Sequence, residues 1–355
     1  MPLSALCLQR SPCHAESVSL LAREAASAPA LARTAVATNA AAFAELAARL
    51  RATPPRLVAT CARGSSDHAA TYAGYVLQWF LGRPVASLFP STVSIYARPL
   101  DDLRGALVIA ISQSGQSPDL HALVSAARTA GALVVGLVND ARSPLAAACD
   151  VAIDIGAGPE NSVAATKSFL LSCVSILQLA ASWSHDPALA EALSRAPSAL
   201  DEACALDWSP ALAPLVRASS LYVLARGIGL AAAQEVALKL KETCRLHAEP
   251  FSAAEVIHGP LALVGPGFPI LALTQPDATL GPTRSSLERL VTLGAKLAAT
   301  TPIDGARLLP TVDAPAVLAP LCAVQSFYLA LPALAAARGL DADAPPHLTK
   351  VTETR

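Results

Sequence analysis

Short apolar segments alternate with longer segments of helical period along the first half of the chain. The runs at 56–60 (RLVAT), 106–111 (ALVIAI) and 132–138 (ALVVGLV) have the length and composition of buried strands. Between them, residues 67–81 and 118–131 are rich in alanine and leucine and long enough to form helices. Strands that alternate with helices in this way predict an α/β fold, a parallel sheet with helices on both faces.

A weak internal repeat indicates that the chain contains two such units. Three pairs of short matches recur at spacings of 162 or 163 residues: Arg63-Gly64 with Arg226-Gly227, Ser112-Gln113 with Thr274-Gln275, and Gly131-Ala132 with Gly294-Ala295. Each match alone is weak, but three in register favour a duplication. The sequence therefore predicts two α/β units in tandem.

We place the divide between the units near 185–215, where the sequence is more polar and carries prolines. We predict N-terminal helices plus the first unit at 1–195, the second unit at 196–338, and a polar tail with Pro345 and Pro346 at 339–355.

The amino-acid composition indicates which kinds of binding partner to expect. The chain has 355 residues, 53% of them hydrophobic and only 15% charged, against about 25% charged in a typical globular domain. A chain so poor in charge is expected to bury surface in a subunit interface as well as in its core. The net charge of −1 gives no reason to expect nucleic acid or an anionic membrane as a partner.

Cysteine spacing and apolar runs suggest the compartment. The eight cysteines form no CxxC pair, so we expect no zinc site or redox dithiol, and reduced thiols suit the cytoplasm. The N-terminus lacks the pattern of a signal peptide. The apolar stretches 168–183 and 314–337 are short or interrupted, which favours buried helices over membrane spans.

The segment SQSGQS, residues 112–117, follows the second predicted strand and carries hydroxyl and amide groups without a charge. In an open parallel sheet, ligands bind beyond the carboxyl ends of the strands. The start of the next helix, which Pro118 marks, supplies free backbone N–H groups, and Gly115 lets the backbone approach a ligand. We expect a phosphate site without Lys or Arg, suited to a small phosphomonoester. The alternative is a turn capped by Ser117 with nothing bound.

A second turn, ARGSSDHA, has the same construction at the end of the first strand. Gly64 is followed by Ser65 and Ser66 at a predicted helix start, and these hydroxyls could hold the same phosphate. We expect His68 to be a packed or surface histidine and not a catalyst.

The second unit contributes charged side chains. Glu235, Lys239 and Glu242 are spaced to share one helix face. An exposed stripe of ion pairs is one interpretation. The other is a partly buried functional face, because the same helix carries apolar residues on more than one side. Further on, the spacing of SAAE at 252–255 is typical of a capping box, which predicts a short helix ending at His258 before Gly259 and Pro260. A carboxylate, a lysine and a histidine near a phosphate suit proton transfer beside a sugar carbonyl.

Several motifs, taken together, carry a resemblance to the double-SIS sugar isomerases. The chain resembles the isomerase half of glucosamine-6-phosphate synthase from about residue 35 onward, in the segments SQSGQS, ENSVAATKSF, EVALKLKETCRLHAE, EVIHGPLAL and PPHLTKVTE. The resemblance implies two SIS units, each a flavodoxin-like, doubly wound parallel sheet. It also implies a homodimer with shared active sites and no metal or other cofactor.

The resemblance also implies residue roles. The residues implied to bind the phosphosugar are Gly64, Ser65, Ser66, Ser112, Gln113, Ser114, Ser117, Val163, Ala165 and Glu235. Glu242 would move the proton between C1 and C2, Lys239 would help orient the substrate, and His258 would assist ring opening in the neighbouring subunit's site. Lys350, in the tail, would close over the sugar and could form an imine with it. A loose, disordered tail is the alternative.

Departures from the synthase point to a different reaction. The start MPLSALC lacks the N-terminal cysteine nucleophile of its glutaminase domain, so we expect no glutamine-derived ammonia. Ala165 stands where the synthase has a hydroxyl that touches the sugar. The segments RGSSDHAATYA and ENSVAATKS look instead like those of stand-alone type II glucosamine-6-phosphate deaminases. We therefore expect conversion of glucosamine 6-phosphate and water to fructose 6-phosphate and ammonia. The alternatives are another phosphosugar isomerase or deglycase, and a regulator that binds a phosphosugar without turnover.

Overall fold

The structure, a computed structural model, describes residues 19–350. Two helices precede the first sheet, α1 (Leu20–Ala26) and α2 (Ala28–Ala52). The hydroxyl of Ser19 caps α1 by accepting the N–H of Ala22, and Pro29 lies in the first turn of α2.

The first unit is a five-stranded sheet in the order β2-β1-β3-β4-β5, with every strand pair parallel. Its strands are β1 (Leu57–Cys61), β2 (Val85–Ser87), β3 (Ala106–Ser112), β4 (Leu133–Val138) and β5 (Val151–Asp154). Its helices are α3 (Ser65–Leu81), α4 (Pro90–Ser94), α5 (Pro118–Thr129), α6 (Pro144–Ala148) and α7 (Lys167–Ser184). All seven residues of β3 are buried, which places its carboxyl end, and the loop behind it, at the centre of the sheet.

The second unit repeats this topology, with the order β10-β9-β8-β6-β7 and only parallel pairs. Its strands are β6 (Ser220–Ala225), β7 (His247–Ser252), β8 (Pro269–Ala272), β9 (Lys296–Ala299) and β10 (Arg307–Leu308). Its helices are α8 (Pro187–Cys204), α9 (Ser209–Leu212), α10 (Leu230–Cys244), α11 (Leu280–Thr292) and α12 (Ala319–Ala337). Counted within each unit, both sheets have the strand order 2-1-3-4-5 of a flavodoxin-like fold. The prediction of two doubly wound α/β units in tandem is confirmed.

The three strands and two helices predicted from the first half of the chain are all present, with ends shifted by one or two residues. The capping box at 252–255 is not formed. The hydroxyl of Ser252 accepts the N–H of Ala254, two residues on, and a 3₁₀ turn runs from Glu255 to His258. The predicted end at His258 is correct, because Gly259 follows with a φ of +143° that ends the turn.

One hydrophobic core joins the units and extends from Leu21 in α1 to Ala342 beyond α12. The helix α12 has the length and composition of a membrane span, but 72% of its apolar window is buried inside the protein. The stretch 168–183 lies in α7, whose residues are almost all buried. Both segments are therefore core helices, as predicted. The proposed divide between residues 195 and 196 falls inside the helix α8.

Candidate active site

The loop after β3 presents hydroxyl groups in a defined orientation. The hydroxyl of Ser112 accepts the N–H of Gly115 at 3.0 Å, and that of Ser114 accepts the N–H of Gln116 at 3.2 Å. A hydroxyl that accepts a backbone hydrogen bond keeps its own proton to donate. Both side chains can therefore donate to an anion above the loop, where α5 begins.

The packing of the loop requires a glycine at position 115. Its φ is +61°, and a Cβ built on it would lie 2.2 Å from the hydroxyl oxygen of Ser143, which caps α6. Glycine is required here by the left-handed backbone and by close packing on α6, whereas the sequence suggested close approach to a ligand.

Ser117 occupies the N-cap position of α5, but its side chain makes no capping hydrogen bond. Instead it donates to the carboxylate of Asp119, which also accepts the Nε–H of Arg63 at 3.0 Å. Burial opposes ionisation of Asp119, yet the hydrogen bonds from Ser117 and Arg63 outweigh it and lower its pKa. Arg63 lines the same cleft as the serines. A guanidinium therefore lies near the loop, although the loop itself carries no Lys or Arg.

The turn before α3 reaches across to the second unit. Gly64, at a φ of +56°, occupies the N-cap position of α3. The hydroxyl of Ser65 donates to Glu235 Oε1 at 3.2 Å and accepts from Lys239 Nζ at 3.0 Å. The N-terminus of α3 is thereby tied to α10 by side chains that are about 170 residues apart in sequence.

The charged face of α10 is buried. Glu235 is 0% exposed and Lys239 is 1% exposed, while the side chain of Glu242 keeps 21% of its surface. The ammonium of Lys239 lies 3.3 Å from Glu235 Oε1 and 2.7 Å from Glu242 Oε2. The interpretation of this face as an exposed stripe of ion pairs was wrong. The adjacent apolar residues of α10 pack into the core, and the charged side chains beside them are buried as a result.

The opposite charges on Glu235 and Lys239 keep both buried side chains ionised. Burial alone would raise the pKa of Glu235, but Lys239 and the hydrogen-bonded His68 lower it below its usual value. Burial alone would lower the pKa of Lys239, and the carboxylates of Glu235 and Glu242 raise it instead. Glu235 is further held by the hydroxyl of Tyr328, which donates to Oε1 at 2.7 Å. The pair is therefore ionised.

The hydrogen bonds of Lys239 and His68 indicate what these two side chains do. The ammonium of Lys239 has three N–H groups, and Ser65, Glu235 and Glu242 accept from them. Lys239 thus fixes Glu242 and Ser65 in place. His68 is a packed histidine, as expected, with Nδ1 2.8 Å from Glu235 Oε2.

The segment between β5 and α7 brings Val163 and Ala165 to the site, and the tail places Lys350 beside it. The ammonium of Lys350 donates to the carbonyl of Ser162 at 2.7 Å and lies 3.4 Å from Glu160. Glu160, buried, also accepts the N–H groups of Thr166 and Ser168. Glu160 is the first residue of the motif ENSVAATKSF, but the sequence analysis assigned it no role.

These elements enclose one cleft of about 340 Å³. The candidate residues that line it are Gly64, Ser65, Ser66, Ser112, Gln113, Ser114, Ser117, Val163, Ala165, Lys239, Glu242 and Lys350. Two candidates do not line it. Glu235 is buried behind Lys239, and His258 is exposed elsewhere on the second unit. Within residues 19–350, no three His, Cys, Asp or Glu side chains form a group that could hold a metal ion.

A family model provides the first comparison with known proteins. The model described as the SIS domain matches residues 55–182 and 214–303, one match in each unit. This chain belongs to the SIS domain family. The recognition of a tandem SIS protein from its motifs is confirmed.

Curated relatives are isomerizing glutamine–fructose-6-phosphate aminotransferases. The Aeropyrum pernix protein is 33% identical over 311 residues, which are 81% of this chain and 49% of the relative. The Symbiobacterium thermophilum protein is 33% identical over 314 residues, which are 83% of this chain and 51% of the relative. This SIS protein therefore spans about half the length of the curated relatives it matches.

Solved structures extend the likeness along the whole chain. A proposed phosphosugar isomerase from Silicibacter pomeroyi DSS-3 is 44% identical with a TM-score of 0.88, covering 92% of this chain and 100% of that one. The C-terminal domain of the Francisella tularensis glucosamine-fructose-6-phosphate aminotransferase is 24% identical, with a TM-score of 0.82 and coverage of 94% and 100%. A Thermotoga maritima glucosamine-6-phosphate deaminase is 21% identical, with a TM-score of 0.74 and coverage of 95% and 100%. The last two likenesses show the fold alone.

Ser114→Ala tests the assignment of the loop at 112–117. The substitution removes a donor to a charged group, which costs roughly 1.5–3 kcal/mol of binding, or about 10-fold to 100-fold in the dissociation constant. We expect weaker binding of inorganic phosphate and of sugar phosphates in calorimetric titration, with unfolding unchanged. Ser285→Ala, an exposed serine on α11, is the control. Equal affinity in both variants would place the phosphate elsewhere.

Proposed function

We propose that this SIS protein deaminates an amino-sugar phosphate, converting glucosamine 6-phosphate and water to fructose 6-phosphate and ammonia. The observation that carries the proposal is the position of Glu242. Its carboxylate lies in the same cleft as the hydroxyls of the loop at 112–117, and Lys239 holds it at 2.7 Å. A fixed base beside a phosphate site is what proton transfer on a bound phosphosugar needs.

The proposed reaction starts with the phosphate on Ser112, Ser114 and the turn at Ser65 and Ser66. After ring opening, Glu242 takes the proton from C2 and an enolamine forms. Return of a proton to C1 gives the imine at C2. Water adds to this imine and ammonia leaves, so the products are the ketose phosphate and ammonia. In this proposal His258 assists ring opening from a second copy of the chain, because it does not line the cleft of its own chain.

The other residues that line the cleft also have roles in the proposed reaction. Lys239, kept charged by its two carboxylate neighbours, holds Glu242 in one rotamer and stabilises its carboxylate before proton transfer. Val163 and Ala165 face the carbon chain of the sugar and present no competing base. Lys350 stands at the mouth of the cleft, where a tail that closes over the sugar would limit the entry of water.

A panel of substrates tests the proposal. Pure protein is incubated with glucosamine 6-phosphate, galactosamine 6-phosphate and their N-acetyl forms, and ammonia and ketose phosphate are both measured. Ammonia and fructose 6-phosphate in equal amounts from glucosamine 6-phosphate are the expected result. Absence of ammonia from every compound would overturn the proposed activity.

Aldose–ketose isomerisation of a phosphosugar without ammonia release is the second candidate. The 44% identity with a proposed phosphosugar isomerase along the whole of that chain favours it. The same residues would move a proton between C1 and C2. Adding glucose 6-phosphate to the panel separates the two, since the isomerase would give a ketose phosphate from it.

Lys350→Ala tests the role of the tail. The substitution removes the ammonium that contacts Glu160 and the carbonyl of Ser162. We expect turnover to fall about tenfold or more, because a lid that no longer closes exposes the reaction to water. Affinity for inorganic phosphate should not change. Lys296→Ala, an exposed lysine at the start of β9, is the control.

Borohydride reduction in the presence of substrate separates two roles of this lysine. Attachment of the sugar to Lys350 would identify an enzyme imine, and no attachment would leave a positioning role. Full activity of Lys350→Ala would mean that the tail is a loose end.

A further inference from the structure

The segment at 158–166, which carries Val163 and Ala165 to the cleft, has no helix or strand of its own. Its backbone N–H groups need partners from elsewhere. Two buried carboxylates supply them. One belongs to Glu160, inside the segment. The other belongs to Glu24, on the helix α1 near the start of the described chain.

Glu24 binds the segment with both carboxylate oxygens. Oε1 accepts the N–H of Asn161 at 2.6 Å, and Oε2 accepts the N–H of Ser162 at 3.1 Å. The residue is only 7% exposed. Burial of a carboxylate is costly unless hydrogen bonds compensate it. A helix that merely packed on the sheet would have no need of a charge at this position.

The backbone N–H and carbonyl groups of Ser162 connect Glu24 to the tail. The N–H of Ser162 donates to Glu24, and the carbonyl of the same residue accepts from Lys350 at 2.7 Å. Any movement of Ser162 therefore moves the acceptor of Lys350, and it also moves Val163, the next residue, which lines the cleft.

The tail in turn holds α1. The carboxylate of Asp343 accepts the N–H of Leu20 at 2.7 Å and that of Leu21 at 2.8 Å, the unpaired donors at the start of the helix. Asp343 lies seven residues before Lys350. The contacts thus form a closed ring that runs from the tail to α1, to the segment at 158–166, and back to the tail.

We propose that Glu24 is a positioning residue for the sugar end of the ligand. Its carboxylate fixes the backbone at 161–162, and with it Val163, Ala165 and the acceptor for Lys350. The inference rests on the proposed phosphosugar site. It assigns α1 to the site although α1 lies outside both SIS matches, the first of which begins at residue 55. Because the phosphate loop at 112–117 makes none of these contacts, Glu24 affects recognition of the sugar and not of the phosphate.

Glu24→Gln is the variant to test. Glutamine keeps one acceptor but turns an NH₂ group toward the second backbone N–H, so one hydrogen bond is lost. The probes are inorganic phosphate and sorbitol 6-phosphate, an open-chain polyol phosphate. We expect about tenfold weaker binding of sorbitol 6-phosphate, the size of one hydrogen bond to a charged group. Affinity for inorganic phosphate should be unchanged. Glu45→Gln, an exposed glutamate on α2, is the control.

Equal weakening for both probes, or no weakening for either, would overturn the proposal. Hydrogen exchange gives a second measurement that does not depend on how well the variant folds. In the wild-type protein the amides of Asn161 and Ser162 should exchange slowly without ligand, and fast exchange there would also overturn it. A wild type that binds sorbitol 6-phosphate but releases no ammonia would contradict the proposed deaminase and leave the role of Glu24 standing.

Discussion

Glu242→Gln should lower the turnover number by about a hundredfold or more, the range expected when a positioned base is removed. Glutamine has nearly the same shape as glutamate and can still accept a hydrogen bond from Lys239, 2.7 Å away in the structure. It cannot take a proton from C2. The side chain is partly exposed at the cleft, so the substitution should leave folding and phosphate affinity unchanged. Steady-state release of ammonia, with phosphate titration alongside, measures both.

Glu288→Gln is the matched control, since Glu288 is an exposed glutamate on α11. Exchange of the C2 proton with deuterated solvent then asks which step is lost. If the Glu242→Gln variant still exchanges that proton at the wild-type rate, another group is the base, and His258 is the next to test. Wild-type turnover in the variant would mean that Glu242 serves only as an ion-pair partner of Lys239.

Lys239→Met should lower the free energy of unfolding by about 3–5 kcal/mol, the cost of leaving a buried charge without its partner. Methionine fills a similar volume. The carboxylate of Glu235 would remain fully buried, with His68, Ser65 and Tyr328 as its hydrogen-bond partners. Urea denaturation measures the loss.

Lys241→Met provides the comparison on the same helix. Lys241 is exposed, and a substitution there should change stability by less than about 0.5 kcal/mol. If the two variants are equally stable, the ion pair on α10 does not hold the units together. The Lys239→Met variant should also lose activity where it is folded, because Glu242 is then no longer held.

Local pattern was sufficient for the elements and for the position of the hydroxyl-bearing loop at 112–117. The strands at 57–61, 106–112 and 133–138 are runs of apolar residues that only a buried strand accommodates, and their spacing requires a parallel sheet. The repeat at 162–163 residues predicted a second α/β unit, and the two sheets have the same strand order. Serine-rich loops at the ends of two of these strands lie in one cleft because parallel strands end at one edge of a sheet.

Local pattern misjudged groups whose partners are distant in sequence. The spacing of Glu235 and Lys239 could place them on one helix face, but it could not tell a solvated face from a buried one. The contacts that decide it come from Ser65 and His68 in the first unit and from Tyr328 in the last helix. Arg63, to which the sequence analysis gave no role, contacts Asp119, 56 residues away, and lines the cleft.

What the sequence determined by itself is what depends on near neighbours: strand and helix positions, the duplication, the turn hydroxyls and the motifs of the SIS family. Only the tertiary structure decided which carboxylates are buried and what they hold. Glu24 and Asn161 are 137 residues apart, and Leu20 and Asp343 are 323 apart. No periodicity or spacing encodes such a pair, because the hydrogen bond exists only once packing of the core has brought its two partners together.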